Sequence, residues 1–142
     1  MNTGRIIHIS GPVTDVKFES GALPRIKDAL TVENGGRTYV MEVASHVGGD
    51  TVRCVMLGPC EGLSRGAEVR ATGDVIKVPV GECTLGRMFN ALGDPIDGAA
   101  SPDGAERWPI HRAAPSFEEQ SSVAEVLETG IKVIDLMEPY AK

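Results

Sequence analysis

Six short stretches in the first 75 residues are built from β-branched or alternating residues, and glycine-bearing turns separate them. They are RIIHI, VTDVKF, ALTVE, TYVMEVASH, TVRCVML and AEVRAT. VTDVKF sets Thr14, Val16 and Phe18 on one face and Val13, Asp15 and Lys17 on the other. ALTVE sets Leu30 and Val32 against Thr31 and Glu33, and TVRCVML sets Val52, Cys54 and Met56 against Thr51, Arg53 and Val55. Alternation of this kind marks a strand with one buried face. SGP, ESGALP, NGG, VGGD, GPCEGLSRG and TGD fill the gaps. ENGGRT and HVGGDT read as hairpin turns, because glycine takes positive φ at little cost. About six strands at roughly 8–12-residue spacing indicate a small sandwich or barrel. Closure removes exposed strand edges, so a barrel is expected over 1–75.

The rest of the chain has a different character. Residues 1–75 hold 11 of the 17 glycines but only 3 of the 9 prolines, and 8 Lys/Arg against 9 Asp/Glu. Residues 76–142 hold 6 Lys/Arg against 11 Asp/Glu. VIKVPVGECTLGRMFNALGDPIDG begins extended. Thr84 is then expected to cap a short helix through Asn90, with Leu85, Met88, Phe89 and Leu92 at helical spacing. GDPIDG must turn around Pro95. Residues 99–120 lack periodicity and contain Pro102, Pro109 and Pro115, which predicts an irregular arm anchored by Trp108. ETGIKVIDLMEPY predicts a short buried helix over 131–137 that ends before Pro139. Two domains are expected, 1–75 and 76–142. The second has too few strands to complete a sheet and reads as the start of an unfinished domain.

Composition narrows the function. Aromatics make up 4% of the 142 residues, so the core must be Val, Ile, Leu, Met and Ala. The net charge is −6 and there is no Lys/Arg run, which argues against a nucleic-acid partner. The scarcity of aromatics argues the same way, since single strands bind by base stacking. Cys54, Cys60 and Cys83 are odd in number and form no Cys-x-x-Cys pair, so buried or half-buried free thiols in a reducing compartment are expected. The N-terminus, MNTGRIIHIS, has no apolar run of signal-peptide length, and no stretch reaches the roughly 20 apolar residues of a membrane span. The expectation is a cytoplasmic protein that meets a membrane only through partners.

Candidate chemistry is sparse. His8, His46 and His111 are far apart in sequence and read as structural residues. No metal-ligand spacing and no Gly-x-Ser-x-Gly elbow is present. Ser121–Ser122 reads as a turn or helix cap, and Glu118–Glu119 as a solvated face. A phosphate loop needs Gly-x-x-x-x-Gly-Lys-Ser/Thr, and no lysine here directly follows a glycine. GPVTDV and GPCEGLSRG are glycine-bearing turns without that lysine. No catalytic, cofactor-binding or metal residue is nominated. Three readings remain: part of an enzyme whose chemistry lies elsewhere, a barrel-type oligonucleotide-binding module, and a structural assembly module.

Four segments, in order, resemble rotary ATPase catalytic subunits. GRIIHISGPVTDVKF is similar to their opening strand pair, and MEVASHVGGDTVRCVMLGPCEGLSRGAEVRATG to the segment that follows it. IKVPVGECTLGRMFNALGDPIDG is similar to the next junction, and ETGIKVIDLMEPYAK to the approach to the phosphate loop. The chain most resembles the β-subunit branch of the F-type ATP synthases, through ASHVGGDTVRCVMLGPCEGL and DLMEPYAK. The resemblance implies a barrel followed by the incomplete start of an α/β P-loop nucleotide-binding domain, with the phosphate loop expected after Lys142. It implies α and β subunits alternating in a hexamer ring, joined side by side through barrel edges, around a central stalk. It also implies ATP or ADP with Mg2+ in the full subunit, ATP synthesis driven by proton or sodium flow, and a peripheral place on the cytoplasmic face of the cell membrane. A stretch cut off before the phosphate loop is expected to be inactive alone.

Overall fold

The computed structural model describes residues 2–19, 21, 23–119, 123 and 125–141. Ser121–Ser122, and Ser20 and Ala22 of the ESGALP turn, lie outside the described residues, as does Lys142. The chain divides into two compact units, Met1–Arg112 and Ala113–Lys142.

The first unit opens with six strands: β1 (Thr3–Ser10), β2 (Val13–Phe18), β3 (Asp28–Asn34), β4 (Arg37–Gly48), β5 (Thr51–Met56) and β6 (Glu68–Val75). They close into an antiparallel barrel in the order β1-β2-β5-β4-β3-β6. Alternation decides which side chains point inward. Thr14, Val16 and Phe18, Leu30 and Val32, and Val52, Cys54 and Met56 are all buried. Ile6, Tyr39, Met41, Val43 and Val69 complete the core, and Cys60, Leu63 and Ala67 of the β5–β6 loop pack against it. The six stretches legible in the sequence are these six strands. Each strand already has a neighbour on both sides, so the barrel offers no free sheet edge. The expected joining of subunits through barrel edges finds no unpaired edge strand in this closed order.

After the barrel, β7 (Lys77–Pro79) pairs with β8 (Arg107–Pro109). Part of the expected irregular arm is thus a strand, because Lys77–Pro79 supplies a partner 30 residues away that no local pattern reveals. Trp108 is not a buried anchor but is 38% exposed. Its indole N–H donates to Glu106 Oε1 at 2.7 Å, and Arg112 stacks on its ring at 3.8 Å.

The helix expected from Thr84 to Asn90 does not form. A three-residue 3-10 turn, Glu82–Thr84, ends where Leu85 turns extended. The Thr84 hydroxyl donates back to the Gly81 carbonyl at 2.7 Å instead of capping a helix ahead. Gly86 then takes φ 69°, which a right-handed helix cannot continue through. Residues 87–97 form a small hairpin-like loop. Phe89 bridges Pro95, and Ile96 N donates to Met88 O. GDPIDG turns as expected. Gly93 is needed there twice over: it has φ 81°, and a Cβ would lie 2.5 Å from the Pro79 ring.

In the second unit, β9 (Val126–Leu127) pairs with β10 (Tyr140–Ala141), and α1 (Lys132–Met137) lies between them. The helix ends before Pro139 as its sequence predicts. It is not buried: Leu136 is 82% exposed and Met137 78%. Of its apolar positions Ile134 alone is partly covered, and none is buried.

Candidate functional site

The outer wall of the barrel carries a row of polar residues set by strand register. His8 lies opposite Asp15, Asp15 opposite Arg53, and Arg53 opposite Ser45. Arg53 grips Asp15 with two parallel bonds, Nε to Oδ1 at 2.8 Å and NH2 to Oδ2 at 3.0 Å. The hydrogen bonds from Arg53 hold the Asp15 carboxyl below its usual range, and the same contact raises the guanidinium. A carboxylate fixed in the ionised state by a bidentate partner is a structural charge pair and a poor proton shuttle. It braces β2 against β5, two strands that are not neighbours in sequence.

Inside the barrel, Thr14 and Cys54 face each other in register, both fully buried. Burial pushes the Cys54 thiol up to about 12. The thiolate is the nucleophile, so this cysteine is inert in the folded barrel. Cys60 is half-buried, whereas Cys83 is exposed. The last corrects the expectation of buried or half-buried thiols: Cys83 lies in the Glu82–Thr84 turn, which has no buried residue.

Polar clamps hold the segments after the barrel. Arg87 forks onto Asp97, with Nε to Oδ2 at 2.5 Å and NH2 to Oδ1 at 3.2 Å, and reaches the Ala100 carbonyl at 2.9 Å. The Met88 and Ala99 amides also donate to Asp97. The guanidinium bond, followed by the amides, holds the Asp97 carboxyl far below the ordinary range. Asn90 Oδ1 accepts from the Leu92 and Asp94 amides at 2.9 and 2.8 Å, which fixes the tip. In the second unit, Asp135 accepts from Thr129 Oγ1 at 2.6 Å and from the Thr129 and Gly130 amides at 3.0 Å each. The Thr129 hydroxyl is the main reason its carboxyl titrates low.

The histidines stay apart. His8 is exposed on β1. His46 Nε2 contacts the Pro24 carbonyl at 2.8 Å, and His111 Nε2 contacts Glu42 Oε2 at 2.7 Å. Glu118 and Glu119 are exposed in a 3-10 turn, Phe117–Glu119. Among the described residues, no group of three or more His, Cys, Asp or Glu could hold a metal ion. No helix among them is long and apolar enough to cross a membrane. The geometry therefore offers braces and closed walls, the equipment of a scaffold.

Residues 6–73 match the family model described as the ATP synthase alpha/beta family, beta-barrel domain. The matched stretch begins in β1 and ends in β6, so it covers the closed six-stranded sheet and stops before the β7–β8 ribbon. The barrel brings Asp15 and Arg53 together through the pairing of β2 with β5. Sequence reasoning placed each on the face opposite Val16 or Cys54 but did not pair them. The signal lies in the strand order, which a list of alternating runs does not contain. The Arg87–Asp97 clamp was missed for a related reason: an Arg and an Asp ten residues apart meet only if the loop between them folds back.

Proposed function

We propose that this chain is the barrel-bearing N-terminal part of the catalytic β subunit of a rotary, proton-translocating F-type ATP synthase. The carrying observation is the closed barrel matched over residues 6–73, followed in the same chain by segments that resemble the β-subunit junction and the approach to its phosphate loop. In this reading the barrel is the rigid element of a ring of alternating α and β subunits. The ring surrounds a central stalk and sits peripherally on the cytoplasmic face of the cell membrane. Residues 76–142 then begin the nucleotide-binding domain. The barrel suits the holding role because its strands are internally satisfied and its wall is braced by Asp15–Arg53.

ATP or ADP with Mg2+ belongs to the full subunit in this reading, where catalysis is positioning and charge stabilisation of a transferring phosphoryl group. The residues described here do not fit that role. No lysine follows a glycine to form a phosphate cradle, and the amides of Gly130 and Ile131, just before the six-residue α1, are taken up by Asp135 and Thr129. No step of phosphoryl transfer is assigned to them.

The test is a chimera. This chain replaces the corresponding stretch of a bacterial F-type β subunit, and ring assembly is followed by native mass spectrometry with ATP synthesis in energised vesicles. Assembled rings and gradient-driven synthesis are expected. The same replacement made in the α subunit should fail. A folded chimera that never enters rings, or that works equally well in the α position, overturns the assignment. Tight binding of the chain to single-stranded oligonucleotides at physiological salt would point instead to a binding module.

A further inference from the structure

The β3–β4 hairpin turns at Asn34-Gly35-Gly36-Arg37, with Gly35 at φ 58° and Gly36 at φ 77°. Asn34 lies at the mouth of this turn. Its side-chain amide nitrogen donates to the Gly62 carbonyl, in the loop between β5 and β6. A second tether lies beside it: Tyr39 Oη donates to the Glu61 carbonyl at 2.8 Å. The loop so held carries Cys60 and Leu63, which pack against the barrel core. Gly62 lies so close to the hairpin that a Cβ there would be 3.3 Å from Tyr39 Oη.

An asparagine followed by glycine is chemically exposed. With no side chain on Gly35, its backbone nitrogen can reach the Asn34 side-chain carbonyl carbon with little steric hindrance. We propose that Asn34 is a site of spontaneous deamidation, gated by the β5–β6 loop, and that the reaction releases that loop. The Gly35 nitrogen attacks Asn34 Cγ and gives its proton to water. The new C–N bond closes a five-membered imide, and the Asn34 amide nitrogen leaves as ammonia. Water then opens the ring at either carbonyl, leaving aspartate or isoaspartate. The net change is uptake of one water and loss of one ammonia, with no oxidant or reductant.

The structure supplies both the gate and the consequence. While the loop is closed, the departing amide nitrogen is held on Gly62 O. Opening the loop frees the side chain to bring its Cγ within reach of the Gly35 nitrogen. After reaction the donor is gone, and a carboxylate faces the Gly62 carbonyl. Two acceptors cannot hydrogen-bond, so this tether is lost and the exposed Gly62 carbonyl turns to water. The loop tip then stays loosened, held beside the hairpin by Tyr39 on the Glu61 carbonyl and at its ends by Leu57 N on Val40 O and Gly66 N on Ile6 O. Asn90 is the built-in control. It precedes alanine rather than glycine, and its side chain is held on both sides by the Asp94 carboxylate and the Leu92 and Asp94 amides.

The full chain is incubated at mildly alkaline pH and mapped by peptide mass spectrometry. Asn34 is expected to convert well ahead of Asn90. Tyr39→Phe removes one loop tether and should raise the Asn34 rate roughly two- to tenfold, the effect of one hydrogen bond on the open population. Asn34→Asp should speed amide exchange in residues 58–66 by a similar factor while β3 and β4 stay protected. Equal conversion of Asn34 and Asn90 would overturn the site. An unchanged rate in Tyr39→Phe would overturn the gate, and unchanged loop exchange in Asn34→Asp would overturn the release. If Tyr39→Phe unfolds the barrel, Asn34→Asp still tests the release and the wild-type map still tests the site.

Discussion

The barrel and the segments after it are held together by different physics. In β1–β6 order comes from burial: a dozen apolar or near-apolar side chains fill a closed sheet, and most are wholly shielded from water. From Val80 onward order comes from local polar clamps, while large apolar side chains stay exposed. Arg87 and Asp97, Met88 and Ile96, and Asn90 and Asp94 face each other across the 87–97 loop. Met88 and Ile96 are 58% and 59% exposed. Burial is cooperative and spreads through a core, so a change at one inner position is felt by the whole barrel. A clamp fixes its own loop and little else. The barrel is therefore a finished object, and the downstream segments are ordered pieces that present apolar surface.

The sharpest break of that comparison is a pair of leucines. Leu30→Ala removes a side chain with no exposure and should cost about 2–5 kcal/mol in chemical denaturation. Leu136→Ala, made at a position 82% exposed, should stay within about 0.5 kcal/mol of the parent. Equal losses would mean that α1 is packed in solution. Next in size is thiol reactivity. A soluble disulfide reagent should label Cys83 first and Cys60 more slowly, and reach Cys54 only on global unfolding. Early labelling of Cys54 would show that the barrel opens by itself.

A smaller, local effect is expected at the clamp. Asp97→Asn weakens the acceptor for Arg87 and two amides. Amide exchange should rise in residues 87–99 and stay unchanged in β3 to β5. A barrel-wide rise would break the proposed independence. The smallest effect is that of pH on the same clamp. The Asp97 carboxyl is depressed in the folded chain, so its contribution is complete above the ordinary aspartate value of 3.8 and is lost as pH falls below it. Exchange of the 87–99 amides, corrected for intrinsic rates, should therefore be flat from neutral pH down to that value and rise only in stronger acid. A rise already at mildly acidic pH would contradict the depressed value.

Much of the barrel is readable from residues alone. Alternation puts Val16 with Phe18, Leu30 with Val32, and Val52 with Cys54 and Met56 on shared faces, and those faces are the buried ones. Two-residue periodicity is local, and the turns that interrupt it are chemically marked. The downstream elements were harder because their patterns compete. Leu85, Met88, Phe89 and Leu92 have helical spacing, but Gly86 and the Thr84 bond to Gly81 override it. Trp108 looked like an anchor because a lone large aromatic is usually covered. Its strand instead pairs with Lys77–Pro79, 30 residues earlier.

By itself, the sequence determined the number of strands, which residues share a face and the hairpin turns, since each depends on neighbours within a few residues. It also determined the helix stop at Pro139, which is a matter of local sterics. Only the tertiary structure decided that β1 meets β6, that Asp15 meets Arg53 across β2 and β5, and that Asn34 reaches Gly62. Those contacts bring together residues 28 to about 65 positions apart, and their partners are chosen by closure of the sheet. Closure is a property of the whole barrel, set by shear and core volume, and no single stretch of chain encodes it.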